Sequence, residues 1–153
     1  MIKVEKPSLD DLQEIYEIDK SVFKNCWSKL SLKKELENKN FNLNLLCRLN
    51  NKIIGYFFSK NVKNEYHVLN FALKKNYQHR GYGNDFFNVI LKEYILDGSV
   101  FLEVKKSNLT ANHFYKKFDF KEIGFKKKYY SDGEDAIIMR LKNSKNELVQ
   151  QKR

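Results

Sequence analysis

A chain of 153 residues can bury a core without a metal or disulfide to staple it, which points to one compact domain. Hydrophobic residues at 42%, with six glycines and one proline, exclude a disordered, collagen-like or low-complexity chain. The formal charge of +10 raises the question of an acidic or nucleic-acid partner. The lysines are spread through the chain, however, and joint enrichment in Lys, Asn, Phe, Tyr and Ile is what an AT-rich coding sequence gives, so direct nucleic-acid binding is not expected. Apolar stretches such as Ile53 to Phe58 are too short to span a bilayer, and no basic segment with a long apolar run opens the chain. A cytoplasmic protein that makes no membrane contact is expected. Cys26 and Cys47 have no His or Cys neighbours at zinc-like spacing, so they read as two reduced thiols with no metal.

In chain order, Ile2 to Glu5 alternates as a strand, and Ser8 with Asp11 forms a carboxylate capping box that opens a helix carrying Leu9, Leu12, Ile15, Tyr16 and Phe23. A second helix starts near Ser31 with Leu32 and Leu36 inward. Phe41 to Leu49 and Lys52 to Ser59 form a hairpin turning at Asn50 and Asn51, and Glu65 to Leu73 adds a third antiparallel strand. Phe86, Phe87, Ile90, Leu91, Tyr94 and Ile95 then recur at helical spacing up to Asp97 and Gly98. Val100 to Val104 reads as a strand, Ser107 to Phe118 as a helix, and Phe120 to Lys128 and Ala136 to Leu141 as strands. The tail 143–153 is polar and expected to fray. The sum is an α+β, mixed sheet of about seven mostly antiparallel strands flanked by about four helices, in one domain over 1–142.

Gln78, His79, Arg80, Gly81, Tyr82 and Gly83 fall between a strand and a helix, where unpaired backbone N–H groups and the positive end of the dipole converge. Glycines at alternate positions let the backbone curl around phosphate oxygens, and His79 and Arg80 add positive charge. The loop suits a diphosphate. A P-loop would need Gly-Lys-Ser/Thr here, and a dinucleotide fingerprint would want a small residue where Phe86 stands.

Gln78, Gly81 and Gly83 resemble the Gln/Arg-x-x-Gly-x-Gly/Ala signature of the GNAT acyltransferases. Leu102-Glu103-Val104, Ser107-Asn108, Ala111, Phe114-Tyr115, Tyr129-Tyr130, Glu134-Asp135-Ala136 and Met139 are similar, in order and spacing, to the bacterial ribosomal-protein-alanine N-acetyltransferases of that superfamily, as is Trp27-Ser28. The segment Lys128 to Ala136 also resembles the catalytic subunit of the NatA complex. The resemblance implies the GNAT fold and acetyl-CoA as cosubstrate. Its pyrophosphate would lie on Gln78 to Asn84, its pantetheine arm near Asn108, and its amides on the backbone of Ala72 and Leu73. The acceptor implied is a protein N-terminus, most specifically an alanine terminus of a small-subunit ribosomal protein, with Trp27, Tyr129, Tyr130 and Glu134 lining the peptide groove. A monomer or weak dimer would suffice.

An N-terminal amine titrates near 8 and a lysine near 10.4, so at pH 7 freeing the lone pair costs about 1.4 and about 4.6 kcal/mol respectively. Either amine needs a base. Glu103 is the one charge in Val100 to Val104, and the resemblance sets it beside the thioester as general base, acting directly or through a water. The alternative is a carboxylate facing solvent or paired with Lys105. Tyr115 stands where the family has its general acid for the departing thiolate; the alternative is a packing aromatic beside Phe114 and Phe118. Asn108 could be a helix cap. Neither cysteine lies near these motifs, so direct attack in a ternary complex is expected. His67 and His113 have no evident partners. Acetylation of an internal lysine or small amine, and a non-catalytic RNA- or ribosome-binding module, are the other readings; intact Glu103 and Tyr115 speak against the last.

Overall fold

The computed structural model describes residues 1–144, and two compact units are distinguished in it. The first holds Met1–Asn61 with Leu69–Tyr94, and the second Val62–Val68 with the described residues from Ile95 onward.

In the first unit, β1 (Ile2–Glu5) pairs antiparallel with β2 (Asn42–Leu49), and β2 with β3 (Lys52–Val62). The β2–β3 turn is Asn50-Asn51, both at positive φ (51° and 66°), a conformation that asparagine tolerates better than most side chains. Lys63 and Asn64 repeat this at φ 50° and 61° before β4 (Glu65–Leu73). The Ser8 capping box forms as expected but opens a short 3-10 turn, Leu9–Asp11, from which α1 (Leu12–Val22) continues. Phe23 leaves the helix in an extended conformation, so α1 ends one residue before the pattern suggests. Helix α2 (Lys29–Glu37) starts two residues earlier than expected because Ser28 is its cap, its Oγ accepting from the Ser31 N–H at 3.1 Å.

Residues 53–59 of β3 are all buried, as a strand covered on both faces must be. Ile53, Tyr56 and Phe58 join Ile15, Ile18, Leu32 and Leu36 of α1 and α2 in one cluster. Phe57 instead packs edge-on with Phe71 and Phe87, the latter from α3 (Tyr82–Val89). The expected long helix changes character after α3: Ile90–Tyr94 forms a π-helical turn, and Asp97 and Gly98 belong to the next strand instead of ending a helix. A 3.6-residue apolar repeat carries no signal for such a widening.

In the second unit, β5 (Asp97–Lys105) pairs antiparallel with β7 (Ala136–Ser144), and β7 with β6 (Lys121–Lys126). Residues 65–67 of β4 pair in parallel with 99–101 of β5, His67 opposite Phe101. Val100, Leu102 and Val104 are buried, while Phe101, Glu103 and Lys105 on the alternate face are half-buried. Helix α4 (Leu109–Lys117) turns Asn112 and Tyr115 inward. The complete strand order is β1-β2-β3-β4-β5-β7-β6. The tail begins later than expected, because β7 runs to Ser144 and Asn143 Nδ2 donates to the Ile95 carbonyl at 2.5 Å. Residues 145–153 lie outside the described residues. Among the described residues no helix is long and apolar enough to cross a membrane.

Candidate active site

The glycine loop before α3 lies in the first unit. Gly81 caps α3 at φ 88°, with no side-chain cap, and a Cβ there would meet nothing within 4 Å. The first intrahelical bond is Asp85 N–H to the Gly81 carbonyl at 3.1 Å, so the amides before Asp85 have no intrahelical acceptor. Amides left without an intrahelical acceptor at a helix start can bind an anion. Arg80 is held over Tyr77 and Tyr82, 5.6 and 5.4 Å from the ring centroids, and donates to the Asn76 carbonyl at 3.1 Å. His79 takes φ 59°, and its side chain and that of Asn84 are exposed. Gln78 turns inward, its Nε2 donating to the Leu73 carbonyl at 2.9 Å, so it ties the loop to the end of β4.

Ala72 and Leu73 are buried and approach β3 so closely that Gly55 has no room for a side chain. A Cβ there would meet Leu73 Cδ2 at 2.4 Å and the Ala72 carbonyl oxygen at 2.6 Å. Gly55→Ala therefore has to push the β4 backbone aside, at a cost of about 2–3 kcal/mol by analogy with overpacked cores. The expected result is a lowered melting temperature together with a raised Kd for acetyl-CoA, read by thermal melts and calorimetry.

In the second unit Glu103 lies in a paired cluster. His67 Nε2 is 2.6 Å from Oε2, Lys126 Nζ is 3.1 Å from Oε1, and the carboxylate side chain is 13% exposed. The pairing with Lys105 that the sequence allowed does not form. Lys105 bonds Asp132 at 2.5 Å and leans over the Tyr130 ring at 5.4 Å. His67, which had no partner in the sequence, is the nearest polar side chain to the expected base. The His67 hydrogen bond is the main cause holding the Glu103 carboxyl below its usual range, against burial and with help from Lys126. Lys126 also stands 5.0 Å from the Tyr129 centroid, and Tyr129 meets Tyr130 edge-on at 5.1 Å. Burial, then the Glu103 charge, pushes the Tyr130 phenol up to about 12.

Glu134 is already engaged: its oxygens accept from the Ser107 N–H at 3.1 Å and hydroxyl at 2.8 Å. Asp135 accepts from the Lys128 N–H at 2.9 Å. These carboxylates fix the segment that carries Tyr129 and Tyr130. Tyr115 is buried, meets Phe114 and Phe120 edge-on at 5.3 and 5.4 Å, and burial drives its phenol well above the usual value, so at neutral pH it retains its proton. Asn108 caps α4, accepting from the Ala111 N–H at 3.1 Å. Trp27, in the first unit, is held by its own N–H, which donates to Asp19 Oδ2 at 2.7 Å. Asp19 and Asn70, which sequence reasoning passed over, form with Tyr56 the buried polar group that holds it.

Cys47 is fully buried, and burial, then the Asp85 charge, pushes its thiol up to about 12. A thiol that stays protonated at neutral pH is a poor nucleophile. The double variant Cys26→Ser, Cys47→Ser is expected to retain kcat within about threefold, with no acetylated enzyme detectable by intact mass, as direct attack requires.

The model of the acetyltransferase (GNAT) domain family matches residues 7–143, and the chain belongs to that family. It is an N-acetyltransferase. The [ribosomal protein bS18]-alanine N-acetyltransferase of Haemophilus influenzae is 32% identical over 135 residues, covering 84% of this chain and 90% of that protein. A Bacillus subtilis (strain 168) protein provisionally given the same activity is 34% identical over 134 residues, covering 86% and 89%. The crystal structure of the ribosomal-protein-S18-alanine N-acetyltransferase from Escherichia coli superposes with a TM-score of 0.86 at 27% identity, covering 94% of this chain and 95% of that one. An N-alpha-acetyltransferase of Sulfurisphaera tokodaii is 38% identical over 76 residues, 48% of this chain and 46% of that protein. Acetyl-CoA is the cosubstrate of GNAT acetyltransferases.

Proposed function

We propose that this enzyme acetylates the N-terminal amine of a protein, most specifically an alanine terminus of a small-subunit ribosomal protein, in the cytoplasm. The described chain, 1–142 in particular, would work as one GNAT domain. The observation that carries the reading is the ionised, mostly buried Glu103 carboxylate of β5, whose charge also bears on Tyr130 of the Tyr129-Tyr130 pair. The names of the bacterial relatives supply the acceptor class.

In this mechanism the amides of 81–84 bind the pyrophosphate, and the backbone of Ala72 and Leu73 orients the pantetheine. Glu103 supplies the basic site for the amine proton, and the Tyr115 phenol, kept protonated by burial, supplies one to the departing sulfur. Asn108 holds the start of α4, and Glu134 holds the Tyr129-Tyr130 segment against which the peptide lies, with Trp27 contributing from the α1–α2 connection. Mass spectrometry of a peptide with an alanine terminus and an internal lysine, incubated with enzyme and acetyl-CoA, tests the reading. Acetyl on the α-amine alone supports it, and acetyl on the lysine alone moves the assignment to a side-chain acetyltransferase.

A further inference from the structure

The contact between His67 and Glu103 has no counterpart in the sequence pattern, and its geometry fixes which atom carries the hydrogen. Both carboxylate oxygens are engaged, Oε2 by His67 and Oε1 by Lys126. The Glu103 side chain is 13% exposed, against 46% for His67. An ionised carboxylate only accepts hydrogen bonds, so the hydrogen in the 2.6 Å contact sits on Nε2. With Nε2 donating to Glu103, Nδ1 is the ring nitrogen left to exchange a proton with a substrate. The member of the pair that reaches solvent, and with it an incoming amine, is the imidazole.

We propose that His67 is the proton relay of acetyl transfer: Nδ1 takes the proton of the attacking amine, while Glu103 fixes the ring and balances the imidazolium that forms. The relay rests on the reading of this chain as an N-terminal acetyltransferase with Glu103 in its active site, and it deepens that reading by passing the amine proton to the imidazole that Glu103 holds. The amine lone pair forms the C–N bond at the thioester carbonyl carbon, and the N–H electrons return to nitrogen as Nδ1 takes the proton. The C–S bond then breaks with its electrons on sulfur, which takes a proton from the Tyr115 phenol. The imidazolium proton restores that phenol through water. One amide and one thiol result, with no net proton change from the neutral amine.

The charged and titratable groups around the ring are Glu103 on β5, Lys126 on β6, Tyr129 and Tyr130 after it, Glu65 two residues earlier on β4, and Arg140 on β7, 5.7 Å from the ring of Phe101, which lies opposite His67. Because kcat reports the enzyme–substrate complex, its pH profile excludes the titration of the free peptide amine. The wild-type kcat should show an acid limb that depends on the His67 imidazole.

The test is the kcat–pH profile, by thiol release with a free Ala-terminal peptide, of the wild type, His67→Ala, His67→Gln and His67→Ala/Glu103→Gln. Both single variants should lose about 10- to 100-fold in kcat, with KM for acetyl-CoA within twofold and the acid limb gone. Added imidazole should restore part of the His67→Ala activity, and the double variant should lose no more than Glu103→Gln alone. A His67→Ala enzyme within threefold of wild type, or one that keeps the acid limb, overturns the relay and leaves the N-terminal acetyltransferase reading standing. No wild-type turnover on any free N-terminus, with lysine or small-amine turnover instead, removes that reading and the relay together.

Discussion

Glu103→Gln is expected to lower kcat by about 10²- to 10³-fold, within the range of a lost general base, while KM for acetyl-CoA stays within about twofold. The amide keeps the shape of the side chain but removes the charge that His67 and Lys126 both address. The loss should therefore appear in turnover and not in binding of the cosubstrate, whose expected contacts lie on the loop before α3. The same substitution has a pH signature in stability. The folded carboxyl titrates below its usual value of 4.5, chiefly through the His67 hydrogen bond. Its contribution to stability is fully present above the unfolded value and is lost as pH falls through the lower folded value. Melting temperatures of wild type and variant should thus differ most above about pH 4.5 and converge as pH falls below it. An unchanged kcat in a folded Glu103→Gln enzyme would assign the base elsewhere.

Asp19→Ala is expected to cost about 3–5 kcal/mol, among the larger effects open to a single substitution. Asp19 is fully buried and accepts from the Tyr56 hydroxyl, from Asn70 Nδ2 at 2.8 Å and from the Trp27 N–H at 2.7 Å. Alanine strands these donors away from water. Only Tyr56 and Asn70 retain a bond to each other, at 3.1 Å. Burial, then the Asp19 charge, drives the Tyr56 phenol far above its usual value, so the hydroxyl remains a donor. Because Trp27 is anchored through its backbone, peptide KM should rise as well, while KM for acetyl-CoA moves less. Urea unfolding and peptide kinetics read both effects, and a stability loss below about 1 kcal/mol would show that the network is not the anchor inferred here.

These two residues mark where sequence reasoning stops. Local chemistry was legible: the Ser8 capping box, the Asn50-Asn51 turn, the full span of β4 and the glycine loop before α3 all follow from side chains within a few positions of one another. Glu103 could be singled out because it is the one charge in an apolar strand. Its partners could not, since His67 lies 36 residues away on a strand paired in parallel and Lys126 lies on the edge strand beyond β7. Only the register reveals that they share a face. Asp19 carries no local signal in the sequence, yet the fold points it into the core, where Trp27 N–H and Asn70 donate to it. The π turn at Ile90–Tyr94 was invisible for the opposite reason, because the apolar repeat around it is regular.

Thiol release from acetyl-CoA with matched peptides tests the central claim most directly. The peptides carry a free Ala or Ser terminus, or the same sequence N-terminally blocked with its lysine retained. Turnover on the free peptides that vanishes on blocking is the predicted result. Turnover that survives blocking would contradict N-terminal acetylation and assign the enzyme to lysine side chains.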